Sequence, residues 1–159
     1  MKKFFFYSIL LVILFSSCGR NILFEKVDHI SDEKWASDHI LKYQFKIVDT
    51  TQFYDIFINV RNSTDYPYQN LYLFLINKFP SGVTVTDTIE ALLCDPFGNW
   101  YGKGSGRIKD HRLLMRQKVR FQQKGVYNFS FQHAMRDEDL IGITEFGITI
   151  QEHKPIKKD

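Results

Sequence analysis

Cysteine is nearly missing from this chain, with Cys18 and Cys94 the two in 159 residues. That scarcity excludes a disulfide-dense miniprotein and a Cys-rich zinc module. Helical periodicity sustained beyond two turns is missing as well, which excludes a helical bundle. So is a large charge of one sign: 21 basic and 18 acidic side chains leave +3, whereas a dedicated nucleic-acid binder carries a strongly basic domain. No GxSxG, P-loop or zincin pattern occurs, and His29, His39, His111, His133 and His153 form no pair with metal-ligand spacing. The expectation is therefore a non-enzyme with no catalytic residue, no metal and no cofactor. What is present suits a folded protein: 44% apolar and 25% charged residues, in a length that fits one domain.

The first long apolar stretch is Phe4 to Phe15, twelve residues behind Lys2 and Lys3. A helix needs roughly 20 residues to cross a ~30 Å hydrocarbon core, so this stretch is a secretory signal rather than a span. Small residues follow, and Phe15-Ser16-Ser17-Cys18 resembles a bacterial lipobox, with Phe15 where Leu is more usual. On that reading residues 1–17 are a lipoprotein signal peptide and Cys18 is acylated, opening a tether over residues 18–21. A single acyl chain holds marginally, and two or three make a durable anchor. The alternative is a cleaved signal that happens to end in Cys. Cys94 is left as a lone thiol beside Asp95, which disfavours a thiolate, so it is expected to be a buried small residue.

Residues 22–153 are dominated by period-two alternation, the pattern of half-buried strands. Leu41, Tyr43, Phe45 and Ile47 share one parity, as do Tyr54, Ile56, Ile58 and Val60. The same holds for Val83, Val85, Ile89, Ala91 and Leu93, for Tyr127, Phe129 and Phe131, and for Phe146, Ile148 and Ile150. Leu71 to Ile76 is apolar on both parities and is expected to be a central strand covered on both faces. Ser31 to His39, capped by Ser31 or Asp32, and Ala134 to Leu140 are the helical candidates. Turn-rich connectors include 62–65, 79–82, 95–99 and 123–125. The fold class is all-β: an antiparallel β-sandwich or jelly roll of about seven or eight strands with one or two short helical turns. Residues 154–159 form a polar tail.

Three constellations remain as interaction candidates. Gly102, Gly104 and Gly106 strip one face of a strand, permitting a ring to lie against it, with Trp100 or Tyr101 to supply that ring. Internal packing of Trp100 outweighs ligand stacking, because large aromatics mostly fill cores. Lys103 to Lys124 holds eight basic residues and one acid, and Arg116, Lys118 and Arg120 share a strand face. That stripe either guards an edge strand or faces anionic headgroups or an acidic partner. Arg61 and the turn bearing Tyr66, Tyr68 and Asn70 offer recognition chemistry, against a duller role as a tyrosine corner bracing the sandwich.

The ordered set Arg61-Asn62, Tyr66-Pro67-Tyr68-x-Asn70-Leu71, Pro80-x-Gly82, Asp87-Thr88, Gly98-x-Trp100-x-Gly102-x-Gly104, Gly125-x-Tyr127-x-Phe129, Met135-Arg136 and Gly147 resembles the gliding-motility lipoprotein family called GldH. The resemblance implies a cell-envelope lipoprotein, anchored to membrane lipid through Cys18, that supports gliding or the linked secretion machinery by binding other envelope proteins. It implies no nucleic-acid partner and no catalytic residue. Arg61, Tyr66, Tyr68, Asn70, Trp100, Arg116, Lys118, Arg120 and Arg136 are the candidate contacts. A surface carbohydrate-binding module is the first alternative, since aromatic rings on sandwiches suit sugar faces, and an envelope hydrolase the second. Metabolic labelling with a clickable fatty acid tests the anchor: label on the wild type is expected to vanish in Cys18→Ala, and label that persists there overturns the assignment.

Overall fold

Alternating apolar side chains become two facing sheets in the computed structural model, which describes residues 21–154. In chain order the strands are β1 (Ile22–His29), β2 (Lys34–Ala36), β3 (Leu41–Ile47), β4 (Tyr54–Ser63), β5 (Asn70–Lys78), β6 (Thr84–Leu92), β7 (Ile108–Val119), β8 (Gly125–His133), β9 (Asp139–Ile141) and β10 (Ile143–Glu152). One sheet runs β1-β10-β4-β7 and the other β3-β8-β5-β6, while β2 and β9 form a separate ribbon. Every pairing is antiparallel. The two sheets hold eight strands, as the alternation predicts, and the ribbon adds two that it does not.

The inner faces meet in a layer of rings. Phe45 packs edge-on to Phe129 at 5.0 Å and Phe121 to Tyr127 at 4.9 Å. Phe131, Trp35 and Phe146 continue it, with Phe146 5.1 Å from Phe131 and 5.2 Å from Trp35. Such pairs contribute about 0.5–1.5 kcal/mol each beyond the area they bury. Tyr43, on β3, lies wholly within this layer and its hydroxyl donates to the Phe146 carbonyl at 3.0 Å, joining one sheet to the other.

Three expectations are corrected. Leu71, Leu73 and Leu75 are buried, but Tyr72 and Phe74 face solvent, so β5 is covered on one face although it sits inside its sheet. Among the described residues no strand layer covers that outer face, where Tyr72 and Phe74 are surface aromatics and Ile76 is half-buried. Ser31–His39 holds a single 3₁₀ turn at Ser31–Glu33, without a side-chain cap, followed by β2. Asp32 and Glu33 take positive φ (56° and 54°), a conformation that cannot propagate as a right-handed helix. Ala134–Leu140 forms no helix and ends in β9. Trp35 and Leu140 are opposite each other across the ribbon and fully buried. Closing the end of the core with two large side chains outweighs local helix preference.

The parity of β6 is realised in half. Ala91 and Leu93 are buried, whereas Val83 and Val85 are 57% and 50% exposed. The reason is topological: β6 and β7 are edge strands of different sheets. The sandwich stays open between them, leaving a groove of about 510 Å³ lined by Leu75, Val85, Met115, Val119, Phe121 and Phe129 among others.

Removing the Tyr43 hydroxyl leaves a buried carbonyl without its donor. Tyr43→Phe is expected to lower unfolding free energy by roughly 1–3 kcal/mol, read from urea midpoints; no change would show that water replaces the bond.

Candidate interaction surfaces

Strand ends sort the molecule into two poles. The connections at 48–53, 79–83 and 120–124 emerge at one end, together with both ends of the described chain: the Glu152 amide donates to the Asn21 carbonyl and that of His153 to Phe53. The connections at 64–69 and 93–107, with the ribbon and its flanks, emerge at the other. Charge follows the same axis. At the end shared by the termini, Lys78, Lys118, Arg120, Lys124 and Lys154 stand against Asp49, Asp55 and Glu152, a net of +2. Across 30–40, 64–69, 93–107 and 134–142, eight carboxylates stand against Lys34, Lys103, Arg107 and Arg136, a net of −4.

The basic stripe of the sequence does not survive as one surface. Arg107 forks between Glu33 and Asp65 at 2.6–3.0 Å, tying the 3₁₀ turn to the 64–66 turn. That hydrogen bonding raises the guanidinium pKa and lowers that of Glu33. Arg112 lies 4.3 Å over the Phe57 ring and donates to Gln151. Arg116 is ion-paired with Asp87 of β6, across the open groove. Lys118 has φ 53° in an irregular stretch of β7, where the Asp55 carboxylate accepts its amide at 2.9 Å and its ammonium lies 5.4 Å over Phe53. Arg120 lies past the end of β7. The expectation that Arg116, Lys118 and Arg120 share a strand face is thus corrected: the bulge turns the strand, leaving Arg116 at the groove and the other two at the terminal pole.

The remaining candidates are mostly internal braces. Arg61, half-exposed on the outer face of β4, pairs with Asp110 of β7 and Glu145 of β10, the latter at 2.8 Å. Tyr66 is buried and its hydroxyl donates to the Asn70 carbonyl at 2.7 Å, the tyrosine-corner role. Burial raises its pKa. The Tyr68 hydroxyl donates to Asp137, and the Asn70 side chain to Glu90. Arg136 is exposed in the loop beside Asp137. Trp100 packs against the core with its ring 6.2 Å from His111. The ring laid on the bare glycine strand is that of His111, since a Cβ on Gly102 would sit 2.6 Å from its Nε2. Cys94 is a free buried thiol, its pKa pushed up by burial and then by Asp95. Cys18 lies outside the described residues.

One exposed feature escaped sequence reasoning. Asp95 Oδ1 accepts the amides of Phe97 and Asn99 at 2.8 and 2.9 Å, and its own amide donates back to the Asn99 carbonyl. This hydrogen-bonded turn holds Phe97 out at 91% exposure. Tyr101 and Leu92 are exposed nearby, and a shallow hollow of about 760 Å³ runs from Pro96 and Tyr101 to Pro67 and Tyr68. Asp95-Pro96-Phe97-Gly98-Asn99 shows in the sequence as a turn, but nothing there says which way its Phe points.

By its family and relatives the β-sandwich belongs to a class, the membrane-anchored lipoproteins of the bacterial cell envelope. The match to the family described as GldH lipoprotein covers residues 22–150, and the chain belongs to that family. It is 37% identical over 153 residues to the "Gliding motility lipoprotein GldH homolog" of Christiangramia forsetii, covering 92% of this chain and 93% of that one. It is 31% identical over 151 residues to the gliding motility lipoprotein GldH of Flavobacterium johnsoniae, covering 91% and 93%. Among solved structures, the latent dimeric PorU of Porphyromonas gingivalis aligns over 86% of this chain and 14% of its own, at a TM-score of 0.36 and 10% identity. That likeness is too slight to carry an argument.

His111 and His133 are both buried, and desolvation holds each below the ordinary 6.5. The unfolded chain takes up these protons near pH 6.5 while the folded chain still refuses them, so stability falls as pH drops through that value. Urea midpoints are expected to decline from pH 7 to pH 5, and to decline less in His111→Leu. An equal slope in the variant would remove His111 as a cause.

Proposed function

We propose that this protein is a binding component of the envelope, held by acylated Cys18 at one pole and engaging another motility or secretion protein with the other. The observation that carries this reading is Phe97, an apolar ring held almost fully in solvent by a closed hydrogen-bonded turn. Exposed large rings fixed by a turn lose little entropy on binding, and aromatic residues dominate the centres of protein interfaces. Tyr101, Leu92 and the hollow beside them extend the contact, and the surrounding carboxylates favour a partner with a basic rim.

Binding rather than catalysis fits the disposition of the titratable groups. His111 and His133 are single buried rings, one beside Trp100 and one beside Trp35. Asp55 is engaged by His153 Nδ1 at 2.9 Å and by the Lys118 amide. Arg61, Arg107 and Arg116 are spent on joining elements. The carbohydrate-binding reading is left with Phe97 and Tyr101 as platforms, because Trp100 packs into the fold.

Phe97→Ser with Tyr101→Ser is expected to abolish crosslinking to envelope proteins in living cells, with protein level and melting temperature unchanged. Undiminished crosslinks would reject the distal loop as the contact. A saturable glycan-array signal lost in the same variant would favour the sugar reading.

A further inference from the structure

The opposite pole has its own chemistry. Asn21 follows Cys18 by three residues, a reach of about 10 Å at full extension. A sandwich whose ten-residue strands run about 30 Å cannot bring its far pole to the bilayer over so short a link without lying down. Whatever the protein does elsewhere, the loops around Asn21 meet the headgroups first.

Those loops are built for that contact. Val48 is 63% exposed and Phe53 38%, both from the 48–53 connection, and Val83 is 57% exposed in the 79–83 connection. Around them stand Lys118, whose ammonium lies over the Phe53 ring, Arg120, and Lys124, which faces Asp49. Asp55, the nearest buried acid, is already taken by His153 and the Lys118 amide. Apolar tips ringed by basic side chains suit an anionic membrane surface, the tips entering the headgroup boundary and the cations meeting phosphate. The net of −4 at the far pole adds a torque of the same sign, since an anionic surface repels that end.

We infer that the pole formed by residues 48–53, 79–83 and 118–124 is a membrane-docking face that seats on anionic phospholipid and stands the sandwich upright, its Phe97 loop outward. The inference rests on acylation of Cys18, and the test separates the two. The full-length lipidated protein, reconstituted in vesicles of phosphatidylcholine with or without phosphatidylglycerol, carries a single fluorophore at Val83→Cys or at Ser105→Cys. Cys94 stays unlabelled because it is buried. With headgroup-attached nitroxide lipids as quencher, the Val83 probe is expected to be quenched several-fold more than the Ser105 probe. The asymmetry is expected to grow with phosphatidylglycerol and to shrink in the combined Lys118→Glu, Arg120→Glu and Lys124→Glu variant, which still floats with the vesicles. Vesicle flotation with equal quenching at both positions overturns the docking face alone. Loss of flotation in the wild type overturns the anchor and the docking face together. An asymmetry that appears only after envelope proteins are added assigns this pole to an acidic protein partner and also overturns the inference.

Discussion

The aromatic layer between the sheets is the constraint from which the rest of the molecule follows. Phe45, Phe121, Tyr127 and Phe129 at one end, and Tyr43, Phe131, Phe146 and Trp35 at the other, interlock through edge-on, tilted and stacked contacts. Rings of this size bury 150–250 Å² each, so slipping any strand by one residue would carry its ring to solvent. Register is therefore specified strongly along both sheets. Once register is set, so is the level at which each strand ends, and hence which loops share a pole. The separation of charge between the poles, and the place where the tether leaves, are consequences of how these rings pack.

The layer was legible in the sequence because each ring recurs at period two within its own strand. Leu41 to Ile47 alternates in burial at every position, and Tyr54 to Val60 buries each residue assigned to the core. Legibility failed where a neighbour decides. Tyr72 and Phe74 have the same chemistry as buried rings and face solvent because no element among the described residues crosses that outer face. Trp35 and Leu140 lie in segments with local helical character and become a two-stranded lid because the core end needs closing. Of the candidate contacts, the dull alternatives for Tyr66 and Trp100 were visible in advance, since both rings had core positions to fill. The pairing of Arg107 with Glu33 and Asp65, residues 74 and 42 positions away, was not, because no local rule links them.

Ion pairs in this fold join elements more than they stabilise them. Arg61, Arg107 and Arg116 are all substantially exposed, and exposed pairs contribute about 0–1 kcal/mol. Their value lies in choice of geometry. Arg61 spans from β4 to carboxylates on both neighbouring strands, and Arg107 holds two loops whose backbone has no shared ladder. Spending the arginines this way breaks the stripe, leaving Lys103 and Lys109 near the far pole and Lys118, Arg120 and Lys124 at the terminal one.

The open side between β6 and β7 shows the same economy. Two unpaired edges flanking an apolar groove are a hazard, because a foreign strand could add to either one. β6 answers with Thr84, Thr86, Asp87 and Thr88, which are polar and exposed along its edge. β7 answers with charge and with the bulge at Lys118, whose left-handed backbone breaks the flat ladder a new strand would need. The Arg116–Asp87 pair crosses the gap between them and sits where an incoming chain would have to pass. With these edges guarded, the loops of the two poles join the outer-face aromatics Tyr72 and Phe74 as exposed surface. Once Cys18 is acylated as proposed, its short link to Asn21 sets the terminal pole toward the bilayer and the Phe97 pole toward the rest of the envelope.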